Sequence, residues 1–403
     1  MYITHVALAN FRTYRKLEHE LPPGLVLIHG ANAQGKTNFL EALYVLATSR
    51  SPRTTKDREL ISWNVPEHEA PVAHLSARLR HAAGEAAVEI FIVGKPDHGQ
   101  TKLASPEEEL DRFLAPASGV QKRIRVNGVL RRAVDLLGTL RVVLFRPEDL
   151  ELVSGPPAGR RRALDILLSQ LDGHYTRTLQ RYGRILLQRN HLLRRLAEGR
   201  ASPDELDPWD ESLCREGAYL LATRYRALDR LTQLATECHA PLGGGQEDLE
   251  THYQSTVHLD EAASPPEVEV LSAAFREQLR SWRRRETMLG QTIIGPHRDD
   301  LALLVNGAAA ATYGSRGQQR TVALAWKLAE ARYQREVSGE DPVVLLDDVL
   351  SELDTERRRS VLEAVKGYQQ VFLTTTSAEL PSAAPLPAAS FLVRDGQLIP
   401  ETP

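Results

Sequence analysis

Gly30-Ala31-Asn32-Ala33-Gln34-Gly35-Lys36-Thr37 has the GxxxxGK[ST] spacing of a phosphate-binding loop. It follows the apolar run Leu25-Val26-Leu27-Ile28 and opens a segment of helical character from Lys36 to about Ala47. The chemistry needs that context. Glycines let backbone N–H groups wrap phosphate oxygens, and a helix start adds partial positive charge. The eight residues would then cradle a nucleoside triphosphate, with Lys36 on its β- and γ-phosphates and the Thr37 hydroxyl on Mg²⁺. Far along the chain, Val343-Val344-Leu345-Leu346 runs into Asp347 and Asp348. A continuous apolar run of this kind suits a buried parallel strand. Acids at its C-terminal end stand at the ligand edge of the sheet. Asp347 is expected to hold Mg²⁺ through its water shell, and Asp348 to polarise an attacking water.

Ser315-Arg316-Gly317-Gln318-Gln319-Arg320 precedes an amphipathic helix. Ser315 supplies a hydroxyl, Gly317 permits close approach, and the helix start through Gln318 supplies N–H donors. Together with the two motifs above, this segment resembles the signature of ABC-type ATPases. The resemblance implies contact with the γ-phosphate of ATP held by a second subunit, hence an ATP-dependent homodimer. Ser351-Glu352-Leu353-Asp354 stands where that superfamily has its D-loop.

These motifs need a sheet to carry them. Residues 3–9 alternate as a strand, 72–80 and 86–93 as a hairpin, and 123–126 lead into an Asn127-Gly128 turn. Residues 140–145 are a buried-strand candidate, and strands return at 301–305, 343–346, 371–373 and 391–399. Helical periodicity dominates from Pro157 to Cys238, with further helices over about 266–285 and 317–336. The expected fold is an α/β ABC-type ATPase head with a phosphate loop and mixed sheet, plus an inserted helical lobe. The head would comprise residues 1–156 and 288–403, and the lobe 157–287. Residues 94–118, with Glu107-Glu108-Glu109, read as a surface insertion.

A more specific resemblance spans the chain. Asn10-Phe11-Arg12-Thr13-Tyr14, Arg53-Thr54, Phe145 through Leu150, Gln188-Arg189-Asn190, Gly295-Pro296-His297-Arg298-Asp299-Asp300-Leu301 and Gly317-Gln318-Gln319-Arg320 are together similar to the bacterial RecF family. Residues 94–118 and 240–266 carry least of it. The resemblance implies an SMC-type ABC ATPase whose ATP-bound dimer holds gapped or double-stranded DNA and releases it on slow, DNA-stimulated hydrolysis. It further implies RecO and RecR as partners and help in loading RecA during recombinational repair. Carried onto this chain, Lys36, Thr37 and Asp347 serve phosphate and Mg²⁺, and Ser315 is the contact in trans. Glu148 and Asp149 fall near the Q-loop that couples γ-phosphate to the lobe, and Arg12 is a candidate nucleotide contact. Asp348 replaces the usual Glu, and Thr374-Thr375-Thr376 stand where a switch histidine is usual. Both departures fit hydrolysis used for timing. His297 through Asp300 read as a hydrogen-bonded brace rather than a metal site.

The 403 residues carry a net charge of −3, yet 42 of the 50 basic residues are Arg. Residues 156–200 hold ten Arg against three acids, and Arg280, Arg283, Arg284 and Arg285 form another run. Arg177, Arg181, Arg184, Arg195, Arg283 and Arg284 are the DNA-contact candidates, through phosphates and with little sequence specificity. No run approaches the ~18 apolar residues of a membrane span. The N-terminus has no signal-peptide character, and two cysteines make no disulfide framework. A cytoplasmic protein is expected. A transporter's nucleotide-binding subunit is disfavoured by the missing switch histidine and the basic insertion. The ATPase of a nuclease complex is disfavoured by the lack of an acidic nuclease module.

Overall fold

The computed structural model describes residues 1–65, 71–94, 120–259, 265–377 and 385–401. The acidic triplet Glu107–Glu109, with nearly all of 94–118, lies outside the described residues.

Among the described residues the strands form two six-stranded sheets and one of three strands. The first six-stranded sheet is antiparallel, in the order Tyr14–Glu20, Tyr2–Phe11, Val72–His81, Gly84–Gly94, Val120–Val126, Val129–Arg131. Its alternating sequences bury one face, with Leu75, Ala77 and Leu79 opposite Val88 and Ile90. The second runs Gln397–Glu401, Ala389–Arg394, Gly24–His29, Gln370–Thr375, Val343–Asp347, Val142–Phe145, and only its terminal hairpin is antiparallel. Strands from the first thirty residues and from the C-terminal part of the chain therefore meet in one sheet. Its strands are apolar runs because both faces are covered. Val26, Ile28, Val343, Leu345 and Phe372 face helix α1 (Lys36–Thr48) and the first sheet. Leu25, Leu27, Val344, Leu346 and Leu373 face the helical side. Helix α1 is filled by apolar residues on every side because it lies in this core.

The helical side is built from α2 (Pro157–Leu171), α3 (Gly173–Ala197), α4 (Asp207–Leu242) and α5 (Val268–Leu289). Next come α6 (Arg316–Ser338), which packs along α4, and α7 (Thr355–Val365). The three-stranded sheet pairs Leu249–Gln254 with Asp300–Val305, so chain from both sides of α5 is joined there.

Among the described residues two arginines are inside, and each ties helices together. Arg189 on α3 is fully buried and donates to Asp210 Oδ1 (2.7 Å), Glu286 Oε2 (2.7 Å) and Thr292 Oγ1 (2.7 Å), joining α3, α4 and α5. Arg224 on α4 is likewise buried against Asp165 (2.8 Å) and the Pro296 carbonyl (2.6 Å). Burial pushes the Glu286 carboxyl upward, and Arg189 opposes that shift. Arg189→Ala leaves buried Glu286 without its cation and Asp210 with Arg283 alone, and is expected to cost about 3–5 kcal/mol in urea unfolding. An orphaned Glu286 titrates higher folded than unfolded, so the deficit should grow as pH rises above the ordinary carboxylate range. A deficit independent of pH would contradict this account.

Candidate functional site

The loop between Gly24–His29 and α1 is held from three sides. Gly30 has φ +143°, and a Cβ there would lie 2.5 Å from the Val393 carbonyl oxygen of the C-terminal hairpin. Gly35 has φ +121°, and a Cβ would lie 2.8 Å from Thr13 Oγ1. Both positions need glycine for conformation and for space. The Tyr14 hydroxyl donates to the Gly35 carbonyl (2.9 Å), and Gln34 Oε1 accepts from the Asp395 N–H (2.7 Å). Ala31, Asn32 and Ala33 are exposed at the loop's crest. Lys36 Nζ donates to the carbonyls of Gly30 (2.6 Å) and Ala31 (2.9 Å), so its ammonium lies under the loop. Burial draws Lys36 down from its ordinary value, and Asp348 and Asp347 oppose that shift.

Sheet register brings the acids to this loop. Thr37 Oγ1 donates to Asp347 Oδ1 (3.0 Å), and Thr374 Oγ1 on the adjacent strand donates to the same oxygen (2.9 Å). Burial pushes the Asp347 carboxyl up, and the charges of Glu148 and Asp348 add to the rise, while the two hydroxyls work against it. A buried carboxylate beside a hydroxyl and further acids is a donor set suited to Mg²⁺, which takes oxygen ligands and keeps several waters. Asp348 has φ +51°, and its N–H donates to Thr374 Oγ1 (2.9 Å). Thr374 thus orients both acids.

The other predicted residues fall into distinct places. Glu148 is exposed on the turn Pro147–Leu150, and its charge acts on Asp347. Asp149 turns the other way, accepting from the Arg146 N–H (2.8 Å) as a local cap. Both line a cavity of about 470 Å³ at the seam with α2, shared with Arg161, Arg162, Lys327 and Glu330. Arg12 is committed elsewhere. Its guanidinium forms a bidentate pair with buried Glu41 (2.9 and 2.7 Å) and donates to the Glu59 carbonyl (2.9 Å). Its neighbours Thr13 and Tyr14 make the loop contacts instead. Sequence reasoning passed over Glu41, whose signal is a lone acid inside an apolar helix.

Ser315 is the N-cap of α6 in a reciprocal box. Its Oγ accepts from the Gln318 N–H (3.2 Å), and its own N–H donates to Gln318 Oε1 (2.8 Å). Ser315 is exposed, and a Cβ on Gly317 would meet nothing closer than Ser315 Oγ at 3.8 Å. Among the described residues nothing crowds a Cβ at that position. Among the described residues no hydrogen bond joins Ser315, Gly317 or Gln318 to the phosphate loop.

The run His297–Asp300 is a brace between lobe and strands. Tyr182 of α3 donates to His297 Nδ1 (2.7 Å), with burial holding the imidazole down at about 3 and therefore neutral. Asp299 accepts from Tyr253 (2.5 Å) and Thr256 (2.8 Å), and Arg160 pairs with Asp300 (2.7 Å).

The arginine candidates divide by partner. Arg283 is held by Asp207 and Asp210 (2.6 Å each), and Arg181 pairs with Glu216 (2.8 Å). Arg184 and Arg195 are exposed and bonded only to nearby carbonyls, while Arg177 and Arg284 are exposed without a polar partner among the described residues. Sequence reasoning missed a second basic surface. Arg123 and Arg125 point outward on one strand, alternating with buried Ile124, and Arg131 and Arg132 follow the turn. They line a groove of about 950 Å³ whose other wall includes Gln180 of α3. Gln180 shares its helix face with Arg177, Arg181 and Arg184. The alternation Arg-Ile-Arg in a strand was the available signal.

The family described as RecF/RecN/SMC N terminal domain matches residues 2–396. The DNA replication and repair protein RecF of Chloroflexus aggregans is 46% identical over 407 residues, covering 99% of each chain. That of Chloroflexus aurantiacus is 44% identical over 408 residues, again with 99% of each covered. A solved structure of the recombination mediator protein RecF with ATP, in the RecFOR pathway, superposes with TM-score 0.84 at 30% identity, covering 100% of this chain and 98% of that one. An Smc head domain from Pyrococcus furiosus, 16% identical with TM-score 0.55, covers 100% of this chain and 96% of that one and shares the fold.

Proposed function

This chain belongs to the RecF family of SMC/ABC-type ATPases, and from that premise we propose that it is an ATP-gated DNA-binding protein of replication and recombinational repair. The observation that carries the reading is a pair of half-sites that no hydrogen bond joins among the described residues. One is the phosphate loop with Thr37 bonded to Asp347; the other is the exposed N-terminus of α6 at Ser315 and Gly317. ATP bound at the first would complete its contacts through Ser315 of a second copy, giving a homodimer. Gly317, where no described residue crowds a Cβ, leaves room for a close approach from outside.

Gly30 through Gly35 would wrap the phosphates, and Lys36 would exchange its two carbonyl partners for phosphate oxygens. Thr37 and Asp347 would hold Mg²⁺, which supplies charge neutralisation at the phosphates. Asp348, kept in place by Thr374, would take the proton of the attacking water as the terminal P–O bond breaks. Glu148, beside Asp347 and at the seam cavity, would report the nucleotide state to a lobe spanning 157–287, with 1–156 and 288–403 as the head. Hydrolysis in this reading is slow, DNA-stimulated and used to release DNA. The cytoplasmic partners are RecO and RecR, acting towards RecA loading. Among the described residues no helix is long and apolar enough to cross a membrane.

DNA would lie on the combined face of Arg177, Arg181 and Arg184 with the groove arginines 123, 125, 131 and 132, with Arg195 and Arg284 as outlying contacts. Arg283 is left out because its guanidinium is already shared by two acids. Gapped duplex binding with ATP should weaken at least about tenfold between about 50 and 200 mM salt. Arg131→Glu with Arg132→Glu should reduce that slope, with ATP-dependent dimerisation unchanged. Binding indifferent to both salt and ATP would sink the reading.

A further inference from the structure

A polar chain runs from the end of α4 to the cap of α6. Glu247 Oε1 accepts from Gln318 Nε2 (2.9 Å), Gln318 Oε1 accepts from the Ser315 N–H (2.8 Å), and Ser315 Oγ accepts from the Gln318 N–H (3.2 Å). A carboxylate only accepts, whereas a glutamine amide both donates and accepts. Glu247 therefore selects the sense of the Gln318 amide. Its NH₂ faces the carboxylate and its oxygen faces the Ser315 N–H. A reversed amide would set donor against donor and open the cap. With the cap closed, Ser315 Oγ already accepts one bond, and its O–H is left to donate outward.

The carboxylate is itself held. Gly244 and Gly245 adopt φ +68° and +69°, turning the chain back after α4 so that Glu247 returns over His239. A Cβ on Gly243 would lie 3.0 Å from His239 Cε1 and 3.2 Å from Glu247 Oε2, so the turn is tightly packed. His239 is 0% exposed, has no hydrogen-bond partner within 3.5 Å at either ring nitrogen among the described residues, and lies 3.7 Å from Glu247 Oε2. That oxygen has no hydrogen bond either, which leaves Gln318 as the carboxylate's bonded partner among the described residues. Asp248 is tied to the turn after Asp300–Val305 by reciprocal bonds with Asn306 (2.8 and 2.9 Å). Arg320, one turn into α6, pairs with Glu352 (2.7 Å), linking the same helix start to Ser351–Asp354.

We infer that Glu247, packed on His239, is a positioning residue for Ser315: it locks the Gln318 amide so that the Ser315 hydroxyl is presented outward to a nucleotide bound by a second copy. The inference rests on the proposed role of Ser315 in trans. Glu247 lies in the segment 240–266, where the family resemblance was weakest, and nothing in that resemblance assigns it a role.

The test is sedimentation of the full chain with ATP and Mg²⁺, alongside monomer ATP affinity and steady-state hydrolysis. Glu247→Ala should weaken ATP-dependent dimerisation about tenfold, the scale of one charge-assisted hydrogen bond. Monomer ATP affinity and KM should stay within about twofold while kcat at limiting protein falls, a split that general loss of folding would not produce. Gln318→Glu should weaken dimerisation by facing two carboxylates. Adding Glu247→Gln to that chain restores one donor between two acceptors and should recover most of the loss. If Ser315→Arg abolishes dimerisation while Glu247→Ala and Gln318→Glu do nothing, the positioning role is wrong and the trans contact stands. If the exchanged pair fails to recover what Gln318→Glu loses, the positioning role is also wrong. If Ser315→Arg itself has no effect, the trans contact falls first.

Discussion

Lys36→Ala is expected to weaken ATP binding at least about a hundredfold, the loss of two or so charge-assisted hydrogen bonds from a cation to phosphate, and to abolish ATP-dependent dimerisation. Lys36 Nζ sits under the loop on the Gly30 and Ala31 carbonyls, so it is already placed where phosphate oxygens would arrive. The charges around it are acidic. Asp347 and Asp348 both act on its ammonium, and without it they would face a polyanion with no side-chain cation between. Folding should be nearly untouched, because the loop is also held by Tyr14 on the Gly35 carbonyl and by Asp395 on Gln34. Calorimetric titration of the monomer with ATP, next to a thermal melt, checks both halves. An affinity within about threefold of the parent would contradict the site, since a lysine contributing so little is not a phosphate ligand.

Asp348→Asn should leave ATP binding and dimerisation intact and slow hydrolysis by about 10²–10⁴, the usual contribution of a positioned proton acceptor. The substitution isolates the charge. Asp348 occupies the left-handed region at φ +51°, which asparagine tolerates well, and its backbone N–H keeps its bond to Thr374. Single-turnover phosphate release should fall while the ATP-bound dimer and its DNA complex persist longer. Thr374→Val offers a contrast. It removes a hydroxyl that serves Asp347 and the Asp348 backbone together, so metal dependence and rate should shift jointly. Unchanged phosphate release in Asp348→Asn would move the proton acceptor elsewhere, with exposed Glu148 the next residue to replace.

The legible parts of this protein were those whose chemistry is local. A phosphate loop is a stretch of backbone between a strand and a helix, so its spacing in Gly30–Thr37 carries its geometry. The cap at Ser315 is written in four residues for the same reason, as is the Asn127-Gly128 turn with its left-handed pair. Sheet membership was half legible. Apolar runs marked 25–28, 343–346 and 371–373 as buried strands, but their order was not in them. That order is what lays Thr374 beside Asp347 and brings the Ala389–Arg394 strand, through Val393, against Gly30.

Charge was the least legible. Residues 156–200 count as strongly basic, yet Arg160 and Arg189 answer to acids at 300, 210 and 286, and Arg161 to the Asp299 carbonyl. Arg12 pairs with Glu41 and Arg283 with Asp207 and Asp210. The fold class, the spacing of the phosphate loop and the helix cap at Ser315 were legible in the residues alone, because backbone loops, caps and strand ends need only neighbouring residues. Which arginines face solvent, how the far end of the chain grips the loop, and the reach of Glu247 to Gln318 come from long-range packing. A guanidinium or a carboxylate takes its role from whichever partner the fold delivers within about 3 Å, and in this chain those partners come from strands and helices far away in the sequence.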